Sequence, residues 1–492
     1  MISRRNALQA LSGAVAAPAM LHGARRKPGD KPNLLFLWTD QQRADSMAAY
    51  GNARYRVPAM NKLASESIVF DRCYVTQPVC TPSRSSIMSG LWPHRNGCVQ
   101  NNVPLKHETK TVPELLGDAG YRTGYMGKWH LGDEVFAQHG FEEWAAIEDA
   151  IYNEFFSAGR DRNARSAYHH FLISLGYKPD DVKRPDFFTR NFATKLPVEH
   201  SKPSFLAQEA SKFILKHRDE PWILYVNTLE PHTPFASALD HLHTEEEVGL
   251  QPNYPGIPEA EPQWYRVLRS RIVTPRAEGF DLRTAEGWGQ MHRNYAGLCS
   301  LVDQAWTRIL WTLEVSGQMD NTIIVHTSDH GEMMGSHSLY AKIVMYEESV
   351  RVPLLLRVPF RRQMPHRVTQ PVSHIDTLAT LLELLGRKEA AEGLDGRSLV
   401  PALEGRRRPE DVFIEWSSDA TPDARTVVTP DGWKLVLHDT DTGMLFDRTR
   451  DPLEMHNLWG RSEHAATVRK LRAKIEDWQR RTADRMPLPP LT

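Results

Sequence analysis

Short runs of consecutive apolar residues recur along the chain, each bounded by polar or turn-forming residues. The first is NLLFLWT at residues 33–39, between Pro32 and Asp40. Such uninterrupted runs are typical of strands buried on both faces, as in a parallel sheet. The same pattern predicts four further strands, and a less continuous segment is a candidate for another: 68–70, 222–226, 322–326 and 353–358, with 121–126 as the candidate.

Between these runs, apolar residues recur at helical spacing. They predict helices over 111–120, 205–216, 294–315 and 375–386, the last of which ends on a glycine, as helices often do. Strands that alternate with helices indicate an α/β fold, with a large, mostly parallel sheet flanked by helices.

After about residue 405 the pattern changes to short strands separated by turns. A Pro-Asp-Gly turn at 430–432 predicts an antiparallel hairpin there. Three predicted strands and a closing helix make up this part: 426–428, 433–437, 445–447 and 464–480. We therefore predict a large α/β domain over residues 31–404 and a small C-terminal subdomain over residues 405–492.

The N-terminal residues have the pattern of a removable export signal. Arg4 and Arg5 precede an alanine-rich apolar run to Leu21 and small residues to Ala24. This pattern predicts a signal over residues 1–24 that uses the twin-arginine route, with an ordinary cytosolic N-terminus as the alternative. No other apolar run approaches the ~20 residues that span a bilayer. We expect an exported protein, periplasmic or extracellular, without a membrane span.

Composition excludes few classes of protein. The formal net charge of -1 and the 25% of charged residues give no indication of a nucleic-acid partner. Four cysteines, Cys73, Cys80, Cys98 and Cys299, are too few for a disulfide framework, and none of their spacings suits zinc. One bridge among Cys73, Cys98 and Cys299 remains open.

Polar residues follow the predicted strands where ligands of open α/β sheets gather. Asp40 and Gln41 come after the first strand, and Asp329 and His330 come after the strand at 322–326. Two carboxylates, an amide oxygen and an imidazole suit a divalent cation held mainly through oxygen. Helix capping is the alternative for each aspartate taken alone.

Three more segments carry candidate chemistry. Lys128 and His130 could present a cation and a general base to an anion, whereas a phosphate loop is excluded because Arg122 stands where glycine is required. His232 lies between Pro231 and Pro234 and is a candidate for proton transfer, with a structural role as the alternative. Lys342 follows Asp329 by a short loop, where most lysines are simply solvated.

Cys80 presents a chemical conflict. It precedes Pro82, which places it at the predicted start of a helix, where negative charge is favoured, and Arg84 follows one turn later. An aspartate nearby would oppose a thiolate, and a hard metal ion does not choose sulfur. A side chain other than a thiol would suit this position better.

The segment Cys80-Thr81-Pro82-Ser83-Arg84 resembles the C-x-P-S-R signature of type I sulfatases, in which a formylglycine-generating enzyme converts the cysteine to Cα-formylglycine. Other segments of the chain are similar to the same family: 39–43, 50–52, 124–130, 231–234, 328–331, 342 with 351–353, and 445–458. The resemblance implies the alkaline-phosphatase-like α/β sandwich with a small C-terminal domain formed by an antiparallel sheet and a helix. It also implies a sulfuric ester hydrolase.

The resemblance implies a role for each site residue. The metal, usually Ca²⁺ with Mg²⁺ or Mn²⁺ as alternatives, would be held by residue 80 together with Asp40, Gln41, Asp329 and His330. A hydrated formylglycine would supply the hydroxyl that attacks sulfur. The remaining roles are a base (His130), sulfate-neutralising cations (Arg84, Lys128 and Lys342) and the acid for the leaving alcohol (His232 or Lys342). Segment 99–105 resembles phosphonate monoester hydrolases, in which the asparagine at the position of Asn101 contacts the substrate anion.

Two departures keep other functions open. Many sulfatases have Asp at position 41 and Asn at position 330, and the Gln and His found here also resemble phosphonate monoester hydrolases and choline sulfatases. Those phosphonate hydrolases have Tyr and Thr where this chain has Lys128 and His130, which favours sulfate. We expect a sulfatase acting on a sulfated small molecule or glycan, with a sulfated carbohydrate favoured. Alternatives are a phosphonate monoester or phosphodiester hydrolase, a sulfamidase and an inactive sugar-binding homologue.

Two polar segments, about 146–203 and about 236–290, lack periodicity and are predicted to be long insertions. Their aromatic and basic residues could line a sugar subsite, although ordinary loop packing is the favoured alternative. These residues are Tyr168, His169, His170, Arg184, Trp264, Tyr265 and Arg269. The sequence indicates neither the sugar nor the oligomeric state.

Overall fold

The computed structural model describes residues 31–149, 153–271, 279–361, 364–406 and 410–490. The predicted export signal over residues 1–24 lies outside these ranges. Within them, nine strands form a large sheet: β1 (Asn33–Thr39), β2 (Ile68–Tyr74), β3 (Arg122–Gly127), β4 (Glu143–Ala145), β5 (Trp222–Asn227), β6 (Thr322–Ser328), β7 (Arg351–Val352), β8 (Leu354–Arg357) and β9 (Arg367–Ser373).

The sheet order is β4-β3-β5-β1-β6-β8-β2-β7, and β9 pairs with β2. Strands β4, β3, β5, β1 and β6 are parallel to one another, whereas β8 is antiparallel to both β6 and β2. The sheet is therefore mostly parallel, and the carboxyl ends of five neighbouring strands lie along one edge.

Helices cover both faces of this sheet. They are α1 (Pro58–Ser65), α2 (Cys80–Ser89), α3 (Pro93–Asn96), α4 (Val112–Leu116), α5 (Ala167–Ser174), α6 (Arg190–Ala193), α7 (Lys202–Lys216), α8 (Glu245–Val248), α9 (Gln263–Arg271), α10 (Ala285–Val315), α11 (Glu347–Val350), α12 (Asp376–Leu384), α13 (Val400–Leu403) and α14 (Ala465–Thr482). The predicted insertions therefore contain short helices, among them α5 and α6.

The two faces of strand β1 explain why residues 34–38 are all apolar. Phe36 and Trp38 pack into the core layer on one face of the sheet, with residues of α12. Leu35 and Leu37 pack into the opposite layer, with residues of α7 and α10. Because successive strand residues point to opposite faces, a strand covered on both sides must be apolar at every position.

All four predicted helices differ from the observed bounds, and two of them, α4 and α10, differ at one end by four residues or more. Helix α10 begins nine residues before the predicted start at 294, because the side chain of Thr284 accepts the backbone N–H of Gly287 and caps it. Helix α4 ends at Leu116 rather than near residue 120, and Gly117 follows with φ 55°. Side-chain capping and positive φ, rather than apolar spacing, set these two ends.

The C-terminal sheet contains β10 (Val412–Trp416), β11 (Ala424–Val428), β12 (Trp433–His438) and β13 (Met444–Asp447), paired in that order and antiparallel. Leu435 and Leu437 of β12 pack with Ile475 and Trp478 of α14 in a separate core. The predicted fold class, an α/β sandwich with a small antiparallel C-terminal sheet and a helix, is confirmed.

Buried ion pairs join this sheet to the larger one. Lys434 of β12 lies 3.2 Å from Glu347 of α11. His94 of α3 binds Glu415 of β10, with 2.6 Å between Nδ1 and Oε2. The larger sheet with its helices and the C-terminal elements therefore share a polar as well as an apolar interface.

All four cysteines fall within the described residues, and all are buried and free. The bridge left open among Cys73, Cys98 and Cys299 is therefore absent from the structure. In the part of the chain that the structure describes, no helix combines the length and apolarity needed to cross a membrane.

Candidate active site

Two carboxylates emerge side by side because their strands are neighbours. Thr39, the last residue of β1, lies opposite Ser328, the last residue of β6, in the parallel register. Asp40 directly follows β1 and Asp329 directly follows β6, and both residues are 0% exposed. The strand order therefore brings together the two aspartates that the sequence separates by almost 300 positions.

Arg84 bridges the two carboxylates from within α2. Its Nε donates to Asp329 Oδ2 at 2.8 Å, and its Nη2 donates to Asp40 Oδ2 at 2.9 Å. Nη1 donates to the backbone oxygen of Lys128 at 2.9 Å. The structure thus places Arg84 against the carboxylates with no exposed surface, so its charge acts first on Asp40 and Asp329.

Cys80 is the first residue of α2 and lies at the centre of the cluster. Its Sγ is 3.3 Å from His330 Nε2, 3.9 Å from Asp40 Oδ1 and 3.9 Å from Lys128 Nζ. Pro82 in the first turn has the φ that a helix start requires, and Gly90, with φ 66°, ends the helix. Position 80 therefore lies at a helix N-terminus, as predicted from Pro82.

Opposing charges set the electrostatics of the cluster. Burial by itself would raise the pKa of Asp40, but the positive charges of Lys128 and Arg84 hold that pKa well below its usual range. Burial and Asp40 also tend to raise the pKa of the Cys80 thiol, yet Lys128 and its cationic neighbours lower it. Asp40 opposes the thiolate, as the sequence suggested, but the surrounding cations outweigh it.

The donor set fits a hard divalent cation. The ligand atoms of Asp40, Cys80, Asp329 and His330 all lie within 4.8 Å of one another. His330 Nδ1 donates to the backbone oxygen of Gly331 at 2.9 Å, which turns Nε2 towards the cluster as a ligand. The sulfur is the poorest match, since Ca²⁺ and Mg²⁺ take oxygen ligands. An oxygen-bearing side chain at position 80 would complete the set.

Gln41 joins the cluster through a left-handed backbone, with φ 67°. Its backbone N–H donates to Asp329 Oδ1 at 3.0 Å. Its side-chain Nε2 donates to Glu332, and its Oε1 accepts from Lys342. An amide whose nitrogen is held by a carboxylate has a fixed orientation, so Glu332 decides that the amide oxygen faces Lys342.

Lys128 and His130 follow β3 at the same edge of the sheet. Lys128 Nζ lies 2.6 Å from Asp40 Oδ2. His130, with φ 59°, donates through Nε2 to Asn102 Oδ1 at 2.7 Å. Burial, followed by the charges of Lys128 and Arg84, holds the pKa of His130 well below its ordinary value, which makes the ring a neutral base.

Glu134 holds the backbone of the turn that contains Lys128 and His130. Its two carboxylate oxygens accept the backbone N–H groups of Trp129 at 2.8 Å and of His130 at 2.6 Å. Burial raises the pKa of Glu134 to about 7. Sparsely populated backbone conformations, such as the positive φ of His130, persist only when neighbouring groups hold them. Glu134 therefore positions the turn that contains Lys128 and His130.

Sequence reasoning missed three residues that position the site: Asn102, Glu134 and Glu332. Each lies within four positions of a predicted site residue, which was the only available signal. Acidic and amide residues near a strand end are common in any protein. Their partners are backbone groups and amides that only the folded chain brings into reach.

His232 and Lys342 approach the cluster from two other loops. His232 Nδ1 donates to the backbone oxygen of Thr233 at 2.7 Å. Burial lowers the pKa of His232 well below its ordinary value, and the charges of Lys342 and Lys128 act in the same direction while Asp40 opposes them. His232 is therefore neutral near pH 7, and Lys342 is half-buried.

Asn101 lies at the rim of the cluster and is exposed. Its Oδ1 accepts the backbone N–H of Thr81 at 3.0 Å, which caps the start of α2. Asn101 therefore stands next to position 80, and its carbonyl group supports the helix.

Comparison with known proteins identifies the family. The family model described as Sulfatase matches residues 32–387. The chain belongs to the sulfatase family. A second model, N-sulphoglucosamine sulphohydrolase, C-terminal, matches residues 335–481. The predicted family and the predicted enzyme class, a sulfuric ester hydrolase, are confirmed.

Individual relatives and solved structures are similar to nearly the whole of this chain. The N-acetylglucosamine-6-O-sulfatase of Bacteroides thetaiotaomicron is 26% identical over 93% of this chain and 88% of the relative. The structure of BT4656 in complex with its substrate D-glucosamine-2-N,6-O-disulfate is 23% identical, with TM-score 0.73 over 93% of this chain and 99% of that one. The phosphonate monoester hydrolase of Silicibacter pomeroyi is 24% identical, with TM-score 0.77 over 92% and 96%. The two structures show a shared fold.

Proposed function

We propose that this sulfatase hydrolyses a sulfate ester on a carbohydrate, with Cα-formylglycine at position 80 and a divalent cation in the site. The observation that carries the proposal is the position of Cys80 Sγ, within 3.9 Å of Asp40, His330 and Lys128. The relative named N-acetylglucosamine-6-O-sulfatase and the neighbour bound to a sulfated glucosamine support a sugar substrate.

Two groups that the chain does not encode, the formylglycine and the divalent cation, would supply the central chemistry. Asp40, Gln41, Asp329 and His330 would hold the cation. Several protein ligands suit Ca²⁺ better than Mg²⁺, because Mg²⁺ usually keeps several of its waters. When both groups are present, the hydrated aldehyde supplies a hydroxyl nucleophile for sulfur and the cation supplies Lewis acidity.

Lys128 and His130 prepare the site for that attack. Lys128 Nζ, 3.9 Å from Cys80 Sγ, offers positive charge to sulfate oxygens next to position 80. The Nε2 proton of His130 is directed to Asn102, so Nδ1 is the ring atom that accepts a proton. A neutral imidazole in this tautomer can take the proton of the attacking hydroxyl.

Lys342 is the better acid for the departing alcohol oxygen. The low pKa of His232, caused mainly by burial, leaves that ring without a proton to give near pH 7. Lys342 presents N–H donors and reaches the Gln41 side chain at the edge of the cluster. His232 then orients the leaving group by accepting a hydrogen bond at Nε2, because Nδ1 donates to Thr233.

The proposal includes the maturation of the chain. Residues 1–24 would direct export to the periplasm or the exterior, and a formylglycine-generating enzyme would convert Cys80 before folding buries it. The mature protein would comprise the catalytic domain over 31–404 and the C-terminal subdomain over 405–492. A buried Cys80, 2% exposed, supports modification of the unfolded chain.

The test is expression with and without a formylglycine-generating enzyme, followed by intact mass and kinetics. We expect the co-expressed protein to be lighter by the mass difference between H₂S and O, and to hydrolyse 6-O-sulfated N-acetylglucosamine. Cys80→Ala is the inactive control. Phenyl phosphonate and an N-sulfated glucosamine test the phosphonate hydrolase and sulfamidase alternatives. Turnover of phenyl phosphonate above all sulfates, or full activity with an unmodified thiol, would overturn the proposal.

A further inference from the structure

A cavity of about 340 Å³ lies beside the active site, in the size range of small-molecule sites. Ile147, Glu148 and Asp149, which follow β4, form one wall, and Thr233 and Pro234, which follow β5, form another. Strand β3, which leads to Lys128 and His130, lies between β4 and β5. The cavity therefore opens along the same carboxyl edge of the sheet as the cluster around position 80.

Arg190 connects the cavity to the active site. It lines both this cavity and a much smaller neighbouring one of about 20 Å³, which His232 also lines. The charge of Arg190 contributes to the low pKa of His130 and of His232, after burial and nearer cations. The cavity therefore adjoins the loop that carries His232.

The charged side chains of the cavity wall are paired with one another. Arg190 and Lys202 share Glu148, with 2.6 Å between Arg190 Nη2 and Glu148 Oε2. The other pairs are His169 with Asp149, at 2.9 Å, and Arg184 with Asp181, at 3.4 Å. Among the described residues that line the cavity, three carboxylates thus face three permanent cations. The wall carries no surplus of positive charge for a second anion.

We propose that this cavity is the subsite for a second sugar ring, next to the ring that carries the scissile sulfate, and that the ring it accepts is hydroxylated and uncharged. The inference rests on the proposed function. Paired donors and acceptors match sugar hydroxyls, which both donate and accept hydrogen bonds. A second sulfate would instead lose its hydration beside the carboxylates of Glu148, Asp149 and Asp181. The cations of the wall are already paired with these carboxylates and would not compensate for that loss.

The structure sorts the sugar-subsite candidates that were predicted in the two insertions. Tyr168, His169 and Arg184 line the cavity. Tyr265 is buried in the core, where its ring lies 5.3 Å from that of Tyr346. Tyr265 thus has the packing role that was the favoured alternative.

The test compares kcat/KM for three substrates with the same scissile 6-O-sulfate: a monosaccharide, a disaccharide with a neutral second ring, and a disaccharide with a second sulfate on that ring. We expect the neutral disaccharide to be preferred over both others by about tenfold or more. Asp181→Asn removes one negative charge from the wall and should shift the ratio about fivefold towards the second sulfate. Arg184→Ala should shift it in the opposite direction.

Asp186→Asn is the matched control, because Asp186 lies in the same loop but does not line the cavity. Equal kcat/KM for the monosaccharide and the neutral disaccharide, or equal ratios in all the variants, would overturn the inference. Hydrolysis of the monosaccharide sulfate alone decides the proposed function. If no sulfate is hydrolysed, calorimetric binding of the unsulfated disaccharide, weakened by Arg184→Ala and unchanged by Asp186→Asn, still supports the subsite, and absence of binding overturns it.

Discussion

Arg84 Nη2 lies 2.9 Å from Asp40 Oδ2, and neither side chain has any exposed surface. The same guanidinium reaches Asp329 through Nε, so a single planar group holds both carboxylates of the cation site. Arginine presents several donors in a fixed fork, whereas lysine presents a point charge. The site therefore depends on the shape of this residue as well as on its charge.

We expect Arg84→Lys to destabilise the protein and to lower kcat/KM by at least about a hundredfold, because one ammonium cannot span Asp40 and Asp329. The lysine keeps the positive charge, so the loss of stability should stay below the ~3–5 kcal/mol that removal of a partner from a buried pair costs. Urea unfolding and kinetics measure the two effects. Arg122→Ala, which breaks an exposed pair with Glu220, should leave both nearly unchanged. Wild-type activity in Arg84→Lys would show that charge alone suffices.

Glu332→Gln should weaken cation binding. Glu332 uses one oxygen for Gln41 and the other for the backbone N–H groups of Met334 and Ala341. A glutamine has only one oxygen, so one of these partners would face an NH₂ group and the Gln41 amide would lose its fixed orientation. Loss of a group that orients a ligand typically costs ~10–100-fold in metal affinity.

Competition of the protein with a calcium chelator measures this effect. Glu66→Gln is the control, because Glu66 is exposed and pairs with Arg357 far from the site. In wild-type protein, removal of the cation by the chelator should abolish sulfatase activity, and added Ca²⁺ should restore it. An unchanged calcium affinity in Glu332→Gln would contradict the orienting role.

Lys342→Ala should affect substrates according to their leaving groups. A sugar hydroxyl departs poorly without a proton, whereas p-nitrophenolate departs readily. If Lys342 is the acid, kcat/KM should fall by about 10²–10⁴-fold for a sugar sulfate and far less for p-nitrophenyl sulfate. His232→Ala serves as the comparison. An equal loss on both substrates in Lys342→Ala would assign Lys342 to binding alone.

Glu134→Gln should change how stability depends on pH. Burial raises the pKa of Glu134 from 4.5 to about 7 in the folded state. Between these values the folded state binds more protons than the unfolded chain, so the contribution of Glu134 to the free energy of unfolding falls as pH rises. Above pH 7 the decrease levels off.

Relative to Glu134→Gln, the wild type should therefore lose stability between about pH 4.5 and 7, by on the order of 3 kcal/mol. Urea titrations at several pH values give the difference. Glu142→Gln, at an exposed position nearby, should show no such trend. A wild-type advantage over Glu134→Gln that grows with pH would mean that the ionised carboxylate is favoured in the folded state.

The sequence by itself determined the layers of the fold and the type of chemistry. The apolar run at 33–39 predicted a strand covered on both faces because burial leaves no polar position. Asp40 and Asp329 were predicted at one edge because parallel strands end together. Pro82 predicted the helix start at Cys80. These are local or periodic properties, and they depend on few residues at a time.

The tertiary structure alone decided how the charges pair. Strand order placed β1 beside β6, and only then could Arg84 bind two carboxylates at once. Glu134 and Glu332 became positioning groups because the fold brought backbone N–H groups to them. The same proximity lets cations outweigh Asp40 at Cys80 and balances the cavity wall around Glu148. Electrostatic effects fall off with distance and grow with burial, so they depend on three-dimensional neighbours that no sequence pattern specifies.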